Sequence, residues 1–212
     1  ATLAIGVTDY GNVGGNAYDK YGTGNPIARR LMNRFLADFD ALVAQAAPAA
    51  AYEIGCGEGE LSLRLLRRGI ATAGFDLEID VVAGANANAA AAGFGSPFTA
   101  RSLYTLTPGE ISADLIVCCE VLEHVPDPAR ALDILAAQGA AHVILSVPRE
   151  PIWRVLNLAR GKYLSARGNT PGHIQHWSAT GFRRLAASRF EIVAVRRPLP
   201  WTMLLCRPLG RR

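Results

Sequence analysis

Three glycines at alternate positions, Gly55, Gly57 and Gly59, follow an apolar stretch and precede a helical pattern of leucines. A glycine is needed where a chain turns sharply or where a ligand contacts the backbone, because a Cβ would collide with it. Strand, glycine loop and helix N-terminus in this order hold nucleotide-like ligands in open α/β sheets. The spacing is neither the dinucleotide G-x-G-x-x-G nor that of a P-loop. Because Glu53 precedes the glycines, the loop suits a ligand with positive charge better than a pyrophosphate.

A carboxylate follows at the end of the next apolar stretch, at Asp76. At the end of the second strand of such a sheet, a carboxylate can accept hydrogen bonds from both ribose hydroxyls of a nucleoside. An aspartate there is by itself more often a turn former. One strand after a glycine loop, ribose binding becomes the preferred interpretation.

The most specific segment runs from Asp114 to Pro128 and reads Asp-Leu-Ile-Val-Cys-Cys-Glu-Val-Leu-Glu-His-Val-Pro-Asp-Pro. Together with the glycine loop and Asp76, it resembles the class I methyltransferases that use S-adenosylmethionine (SAM). The resemblance covers roughly residues 50–150. It implies SAM as cofactor, S-adenosylhomocysteine (SAH) as product, and an α/β fold. That fold is a doubly wound, Rossmann-like, mostly parallel sheet of seven strands with the last strand antiparallel.

The resemblance also implies a set of cofactor contacts along the carboxyl edge of the sheet. These are Glu53, Gly55, Cys56, Gly57, Gly59, Asp76, Leu77, Ser102, Leu103, Cys119 and Glu120. Family members often end the third strand with an acid that binds the adenine amino group, but the matching region here, residues 100–103, has none. We expect Ser102, backbone groups and apolar contacts to hold the adenine instead. The customary Lys-Pro-Gly-Gly turn before strand five is also absent.

Three histidines are the candidate catalytic bases: His124, His173 and His176. A histidine titrates near neutrality and can take a proton from a hydroxyl or an amine that accepts a methyl group. His124 follows the fourth strand, where it equally suits a structural role in the turn. The other two lie in a loop after the fifth strand, where His176 equally suits packing beside Trp177. His173 follows a glycine, and we expect it to be the most exposed of the three.

A metal-dependent reaction is the alternative that uses the same residues. Glu120-x-x-Glu123-His124 with a later histidine, His173, resembles the metal motif of the Hen1-type RNA 2′-O-methyltransferases. Two carboxylates and two imidazoles can hold a divalent ion that activates a ribose hydroxyl. The same string occurs in relatives without metal, and we favour a site without one. A protein that binds SAM without catalysis is a further alternative.

The acceptor is expected to be a small molecule: a natural product, a quinone precursor or a sugar- or lipid-linked metabolite. Residues 1–46 are predicted to form an arm and a helix that act as a lid, and residues 148–178 a substrate-side insertion. The expected substrate contacts are Tyr18, Tyr21, Tyr163 and Trp177. Aromatic side chains often line small-molecule pockets, although core packing explains most of them equally well.

The elements that position these residues follow from periodicity. Apolar positions at helical spacing after Asn25-Pro26 predict a first helix that ends near Pro48. Beyond it the order of strands and helices is that of a mainly parallel, doubly wound sheet, closed by two further strands. The expected strands are 49–54, 70–76, 98–103, 115–119, 141–147, 190–196 and 201–206.

Composition narrows the remaining possibilities. The chain has 212 residues, half of them hydrophobic, which fits one domain, residues 1–212. The net charge of +4 comes from scattered arginine pairs, which argue against a nucleic-acid partner. No apolar run reaches the ~18–20 residues that span a bilayer, and no signal peptide or C-x-x-C pair is evident. We expect a cytoplasmic monomer or homodimer with reduced cysteines.

Overall fold

A computed structural model of the chain describes residues 25–210 as a seven-stranded sheet flanked by helices. The strands are β1 (Ala50–Ile54), β2 (Ala71–Asp76), β3 (Phe98–Ala100), β4 (Leu115–Cys119), β5 (His142–Pro148), β6 (Phe190–Arg196) and β7 (Trp201–Pro208). The helices of the described part are α1 (Pro26–Ala46), α2 (Glu60–Leu66), α3 (Ile79–Ala91), α4 (Pro128–Ala136), α5 (Ile152–Ala159) and α6 (Ala179–Ala187).

The strand order is β3-β2-β1-β4-β5-β7-β6, and β7 lies antiparallel to both of its neighbours. The other pairs along the sheet are parallel. The predicted fold class, a doubly wound sheet of seven strands with the last strand antiparallel, is therefore confirmed. Because β7 runs antiparallel to β5, its first residue, Trp201, pairs with the last residue of β5, Pro148.

Alternate residues of β4 point to opposite faces, and both faces are covered. Leu115 and Val117 pack on the side of α1, whose Phe35 and Phe39 are buried there. Ile116 packs on the opposite side, in a cluster that includes residues of α4 and α6. A strand buried on both faces reads as a continuous apolar run, which is why β4 was predictable with its observed bounds.

Helix α1 begins and ends close to the predicted positions. The Asn25 side chain accepts hydrogen bonds from the Ile27 and Ala28 amides at 2.9 and 3.3 Å, and Pro26 occupies the first helical position. Its buried face packs against the sheet, so α1 is part of the core. The predicted arm, including Tyr18 and Tyr21, lies outside the described residues, and a lid function stays a prediction.

The third strand is shorter than expected. β3 ends at Ala100, because the Ser102 hydroxyl accepts a hydrogen bond from the Tyr104 amide at 3.3 Å and starts a 3-10 turn over Leu103–Thr105. In the described part of the chain, none of the helices combines the length and hydropathy needed to cross a bilayer.

Candidate active site

One edge of the sheet collects the predicted site residues. The carboxyl ends of the parallel strands β1, β2, β4 and β5 meet there, as does the amino end of the antiparallel β7. In open α/β sheets, ligands bind in the crevice outside the carboxyl ends of the strands. The edge is therefore where a ligand-binding site is expected.

The glycine loop leaves β1 in a conformation that favours glycine. Gly55, Gly57 and Gly59 all have positive φ angles, +69°, +52° and +84°. A Cβ on Gly55 would overlap the side chain of Val121, so this glycine is required by packing. No heavy atom of residues 25–210 lies within 4 Å of a Cβ built on Gly57, so this glycine leaves open space at the loop. The loop therefore offers backbone contact to a ligand at Gly57.

Glu53 lies beneath this loop and is buried, with 3% of its surface exposed. Its Oε2 accepts hydrogen bonds from the amide and the hydroxyl of Ser62, at 2.9 and 2.5 Å. Burial raises the pKa of Glu53 to about 8, against the lowering effect of the Ser62 hydrogen bonds. The carboxyl group of Glu53 thus links the end of β1 to the first turn of α2. A contact between Glu53 and a cofactor stays a prediction.

Asp76 connects the end of β2 to the glycine loop. Its Oδ2 accepts a hydrogen bond from the Gly57 amide at 2.9 Å, and its Oδ1 accepts one from the Leu77 amide at 2.7 Å. Oδ1 also accepts a hydrogen bond from the Glu78 amide at 3.3 Å. A carboxylate offers about four lone-pair sites, so the remaining capacity for a ribose hydroxyl lies on Oδ2. The neighbouring Leu77 side chain is exposed at this edge. The open space at Gly57, next to the hydrogen-bond-accepting carboxylate of Asp76, fits a nucleoside such as that of SAM.

The residues predicted to hold the adenine have structural partners. The Ser102 hydroxyl caps the turn after β3, and Leu103 is buried in the core. Arg101 stacks over Phe75, 5.7 Å from the ring centroid, and pairs with Glu110 at 2.5 Å. An adenine contact from Ser102 or Leu103 therefore stays a prediction.

The cysteines behave as buried apolar side chains. Cys56 of the glycine loop and Cys119 at the end of β4 are both buried and free, as are Cys118 and Cys206. Burial raises the pKa of the Cys56 and Cys119 thiols well above the ordinary value. Nucleophilic chemistry by a thiolate is therefore disfavoured, and a reduced setting for these cysteines stays a prediction.

Glu120 is held by two residues that sequence reasoning did not connect to the site. Ser146 of β5 donates a hydrogen bond to Oε1 at 3.0 Å, and the Trp201 indole of β7 donates one to Oε2 at 2.7 Å. Glu120 has a left-handed backbone, with φ of 58°. The three residues are far apart in sequence, and only the position of β7 beside β5 brings them together.

The structure brings two of the three candidate bases together. The rings of His124 and His173 meet edge to face, with centroids 4.9 Å apart. His173 is buried, with 7% exposed, so the expectation that it is the most exposed histidine was wrong. The reason is Trp153 of α5, which stacks on its ring at a centroid distance of 5.8 Å. Sequence spacing offered no signal for this contact.

His124 has a defined tautomer. Its Nδ1 lies 2.9 Å from the carbonyl oxygen of Gly172, and a carbonyl can only accept. Nδ1 therefore carries the hydrogen, and in the neutral ring Nε2 is the basic nitrogen. The turn is fixed further because the Glu123 carbonyl accepts hydrogen bonds from the Ile174 and Gln175 amides, at 2.9 and 3.0 Å.

A side-chain cluster with the composition of a metal site lies at this point. Among the described residues, ligand atoms of Glu123, His124 and His173 lie within 4.8 Å of one another. Imidazole and carboxylate are common ligands of divalent transition metals, and a ligating histidine usually donates its other N–H to an acceptor such as a carbonyl. Glu120, the remaining member of the predicted set, does not belong to this cluster and has both oxygens engaged by Ser146 and Trp201.

The other predicted residues lie outside this pair of histidines. His176 is exposed, and its Nε2 lies 2.7 Å from Asn169 Oδ1. Burial and the nearby Arg154 lower its pKa. Trp177 packs on Phe182, with ring centroids 5.8 Å apart, which is a core contact. Tyr163 is partly exposed at a turn with φ of 55°, and its contact with a substrate stays a prediction.

Comparison with known proteins identifies the family. The chain matches the family described as "Methyltransferase domain" over residues 27–194. The ubiquinone biosynthesis O-methyltransferase of Aeromonas salmonicida is 33% identical over 118 residues, which are 53% of this chain and 49% of that protein. The protein of the same name from Methylococcus capsulatus is 30% identical over 154 residues, 64% of this chain and 63% of that protein. The chain thus spans between about half and two thirds of the length of these relatives.

Solved structures share the fold at low sequence identity. Magnesium protoporphyrin IX methyltransferase from Synechocystis, crystallised with bound SAH, is 19% identical with a TM-score of 0.67 over 89% of this chain and 90% of that one. The methyltransferase domain of the bacterial protein CtHen1 is 20% identical with a TM-score of 0.61 over 84% of this chain and 99% of that one. With the family match over most of its length and this sheet, the chain belongs to the class I SAM-dependent methyltransferases.

Proposed function

We propose that this protein transfers a methyl group from SAM to an oxygen atom of a small molecule, such as a natural product, a quinone precursor or a sugar- or lipid-linked metabolite. The observation that carries the proposal is the His124–His173 pair at the carboxyl edge of the sheet, with Nδ1 of His124 held against the Gly172 carbonyl at 2.9 Å. The relatives named ubiquinone biosynthesis O-methyltransferases support oxygen as the acceptor atom.

The residues that would hold SAM are those of the glycine loop, with Asp76 on the ribose. When bound, SAM supplies an electrophilic methyl group on a sulfonium cation. Gly57 contributes backbone and leaves space for the ligand, and the Asp76 carboxylate accepts from hydroxyls. The negative charge of Asp76 also suits a cationic ligand.

His124 acts as the general base in this proposal. When the acceptor oxygen bonds to the methyl carbon, the sulfonium–methyl bond would break and SAH would leave, while the hydroxyl proton would pass to Nε2 of His124. The hydrogen bond from Nδ1–H to the Gly172 carbonyl orients the ring and stabilises the imidazolium that results. His173 and Trp153 form an aromatic wall beside it, which helps to exclude water from the reacting atoms.

Two measurements test the proposal. Calorimetry with SAH should show one binding site, and the purified protein should transfer labelled methyl from SAM to phenolic or catecholic acceptors. The absence of SAH binding contradicts the cofactor site. SAH binding without transfer to any hydroxylated small molecule contradicts the proposed reaction.

A metal-dependent RNA 2′-O-methyltransferase is the second candidate, favoured by the cluster of Glu123, His124 and His173. In that case the three side chains would hold a divalent ion, which would lower the pKa of a ribose hydroxyl. Methyl transfer to RNA that requires an added divalent ion and stops with EDTA supports this candidate. Transfer that is insensitive to EDTA dismisses it.

A further inference from the structure

Helix α5 has exposed apolar side chains on the face opposite its inner contacts. Trp153 and Asn157 lie on its inner face, where Trp153 stacks on His173 and Asn157 is buried. Val155 and Leu158, three residues apart, lie on the outer face and are 58% and 40% exposed. A globular helix normally places its polar residues on the face away from the core. The outer face of α5 therefore needs a partner.

The turn that follows α5 extends this outer face. A Cβ on Gly168 would lie 3.0 Å from Cγ of Leu158 and 2.5 Å from the Arg154 carbonyl, so the turn packs directly on the helix. The Asn157 amide donates a hydrogen bond to the Gly168 carbonyl at 2.9 Å and fixes this arrangement. The turn carries Leu164, which is 63% exposed. We call Val155, Leu158 and Leu164 the α5 outer face.

The segment that carries the α5 outer face is basic. Residues 151–178 contain four basic side chains and no acidic one, and one of the four, Arg154, pairs with the preceding Glu150 at 3.5 Å. Arg160, Lys162 and Arg167 are all exposed, either at the end of α5 or in the turn. Basic side chains beside exposed leucine and valine are typical of elements that lie in a membrane interface. The arginine pairs along the chain were considered in the sequence analysis, where this group of single basic residues was not recognised.

We propose that the α5 outer face docks on an anionic lipid surface. Val155, Leu158 and Leu164 enter the interface between headgroups and acyl chains, and the basic side chains contact lipid phosphates. The same helix carries Trp153 on its inner side, next to the histidine pair, so docking places the candidate active site against the membrane. This step rests on the proposed function: the methyl acceptor is then a hydroxylated molecule that resides in the lipid phase.

Vesicle flotation tests the docking without any assay of methyl transfer. The full chain should float with vesicles of mixed phosphatidylcholine and phosphatidylglycerol, and much less with phosphatidylcholine alone. Lys162→Gln with Arg167→Gln should weaken binding by about thirtyfold, since each basic residue near such a surface contributes about a fivefold change. Val155→Ser with Leu164→Ser should weaken binding to the same vesicles by about tenfold or more.

The matched controls lie on other surfaces. Arg29→Gln with Arg30→Gln removes two exposed charges from α1, and Leu209→Ser removes an exposed apolar side chain at the end of β7. Both should leave flotation unchanged. Thermal melts show whether each variant folds. Calorimetry with SAH distinguishes a loss of docking from a loss of the cofactor site. For the α5 variants we expect docking to be lost while SAH binding is intact.

Five results overturn the proposal. The full chain does not float with anionic vesicles, or it floats equally with phosphatidylcholine alone. The α5 outer face variants float as well as the unchanged protein. Sedimentation shows a dimer that Val155→Ser with Leu164→Ser dissociates, without vesicle binding, which assigns the face to a second copy of the chain. The basic residues bind single-stranded RNA and not vesicles, which assigns it to nucleic acid.

Discussion

The indole nitrogen of Trp201 donates a hydrogen bond to Oε2 of Glu120 across 2.7 Å. Ser146 occupies the other carboxylate oxygen, so three neighbouring strands, β4, β5 and β7, are joined at the edge where the ligand is expected. The backbone of Glu120 is left-handed, a conformation that non-glycine residues hold only when their surroundings fix it. The hydrogen bond therefore sets the geometry at the end of β4.

Replacing Trp201 by Phe tests this role. The variant keeps the aromatic packing on Phe35, with ring centroids 5.1 Å apart, but leaves one oxygen of Glu120 without its indole donor. We expect the free energy of unfolding to fall by about 1–3 kcal/mol, and the affinity for SAH to fall with it. Chemical denaturation and calorimetry measure both.

The control for this variant is Trp153→Phe. It removes a similar indole hydrogen bond, 2.9 Å to Thr170, from a ring that packs on Trp201 with centroids 5.7 Å apart. We expect it to leave the affinity for SAH unchanged. Equal effects of the two replacements on SAH affinity would show that Glu120 needs no fixed position.

Gly57→Ala tests the open space at the glycine loop. Alanine at a φ of +52° costs about 1–2 kcal/mol of backbone strain, and its methyl group enters the ligand space. Gly69→Ala is the matched control, since Gly69 has a φ of +77° and no described heavy atom within 4 Å of an added Cβ. We expect similar losses of thermal stability, but a loss of SAH affinity by about tenfold or more only for Gly57→Ala. Unchanged affinity for Gly57→Ala contradicts the assignment of the loop.

Local patterns predicted most of the fold. The buried run of β4 and the Asn25-Pro26 start of α1 each follow from side chains within a few residues. The end of β3 was missed, because a serine that caps a turn looks the same in sequence as one that continues a strand. Because neighbouring residues determine where these elements begin and end, most of the boundaries can be predicted from a single sequence.

The site was predictable only in part. The glycine loop and Asp76 lie on consecutive strands, so their contact follows from a parallel sheet. The burial of His173 depends on Trp153, and the fixation of Glu120 depends on Trp201. The first contact joins α5 to the loop that follows it, and the second depends on the position of β7 beside β5. No spacing rule predicts such pairs, because they depend on how separate elements pack.

Glu53 makes the stability depend on pH. Burial raises the pKa of this carboxyl group from its ordinary value of 4.5 to about 8, so the native state holds a proton that the unfolded chain releases. The stabilisation is complete below pH 4.5 and is lost as the pH rises towards 8, with a slope of at most about 1.4 kcal/mol per pH unit.

Glu53→Gln should remove this dependence. Glutamine keeps an oxygen that accepts from Ser62 but does not titrate. Melting temperatures between pH 5 and pH 8 should therefore fall less for the variant than for the unchanged protein. Glu58→Gln, at an exposed position of the same loop, should keep the original dependence. Parallel curves for Glu53→Gln and the unchanged protein contradict the raised pKa.

The histidine pair decides between a general base and a metal ligand. If His124 acts as base, His124→Ala should lower kcat by about 10²–10⁴-fold with little change in SAH affinity, and EDTA should have no effect on the unchanged protein. His176→Ala, which removes an exposed histidine bonded to Asn169, should leave kcat close to the original value. If the cluster binds metal, EDTA should abolish activity. Glu123→Gln and His173→Ala should then each weaken the binding of the added ion. Because Glu120 lies outside this cluster, Trp201→Phe should leave the affinity for the added ion unchanged.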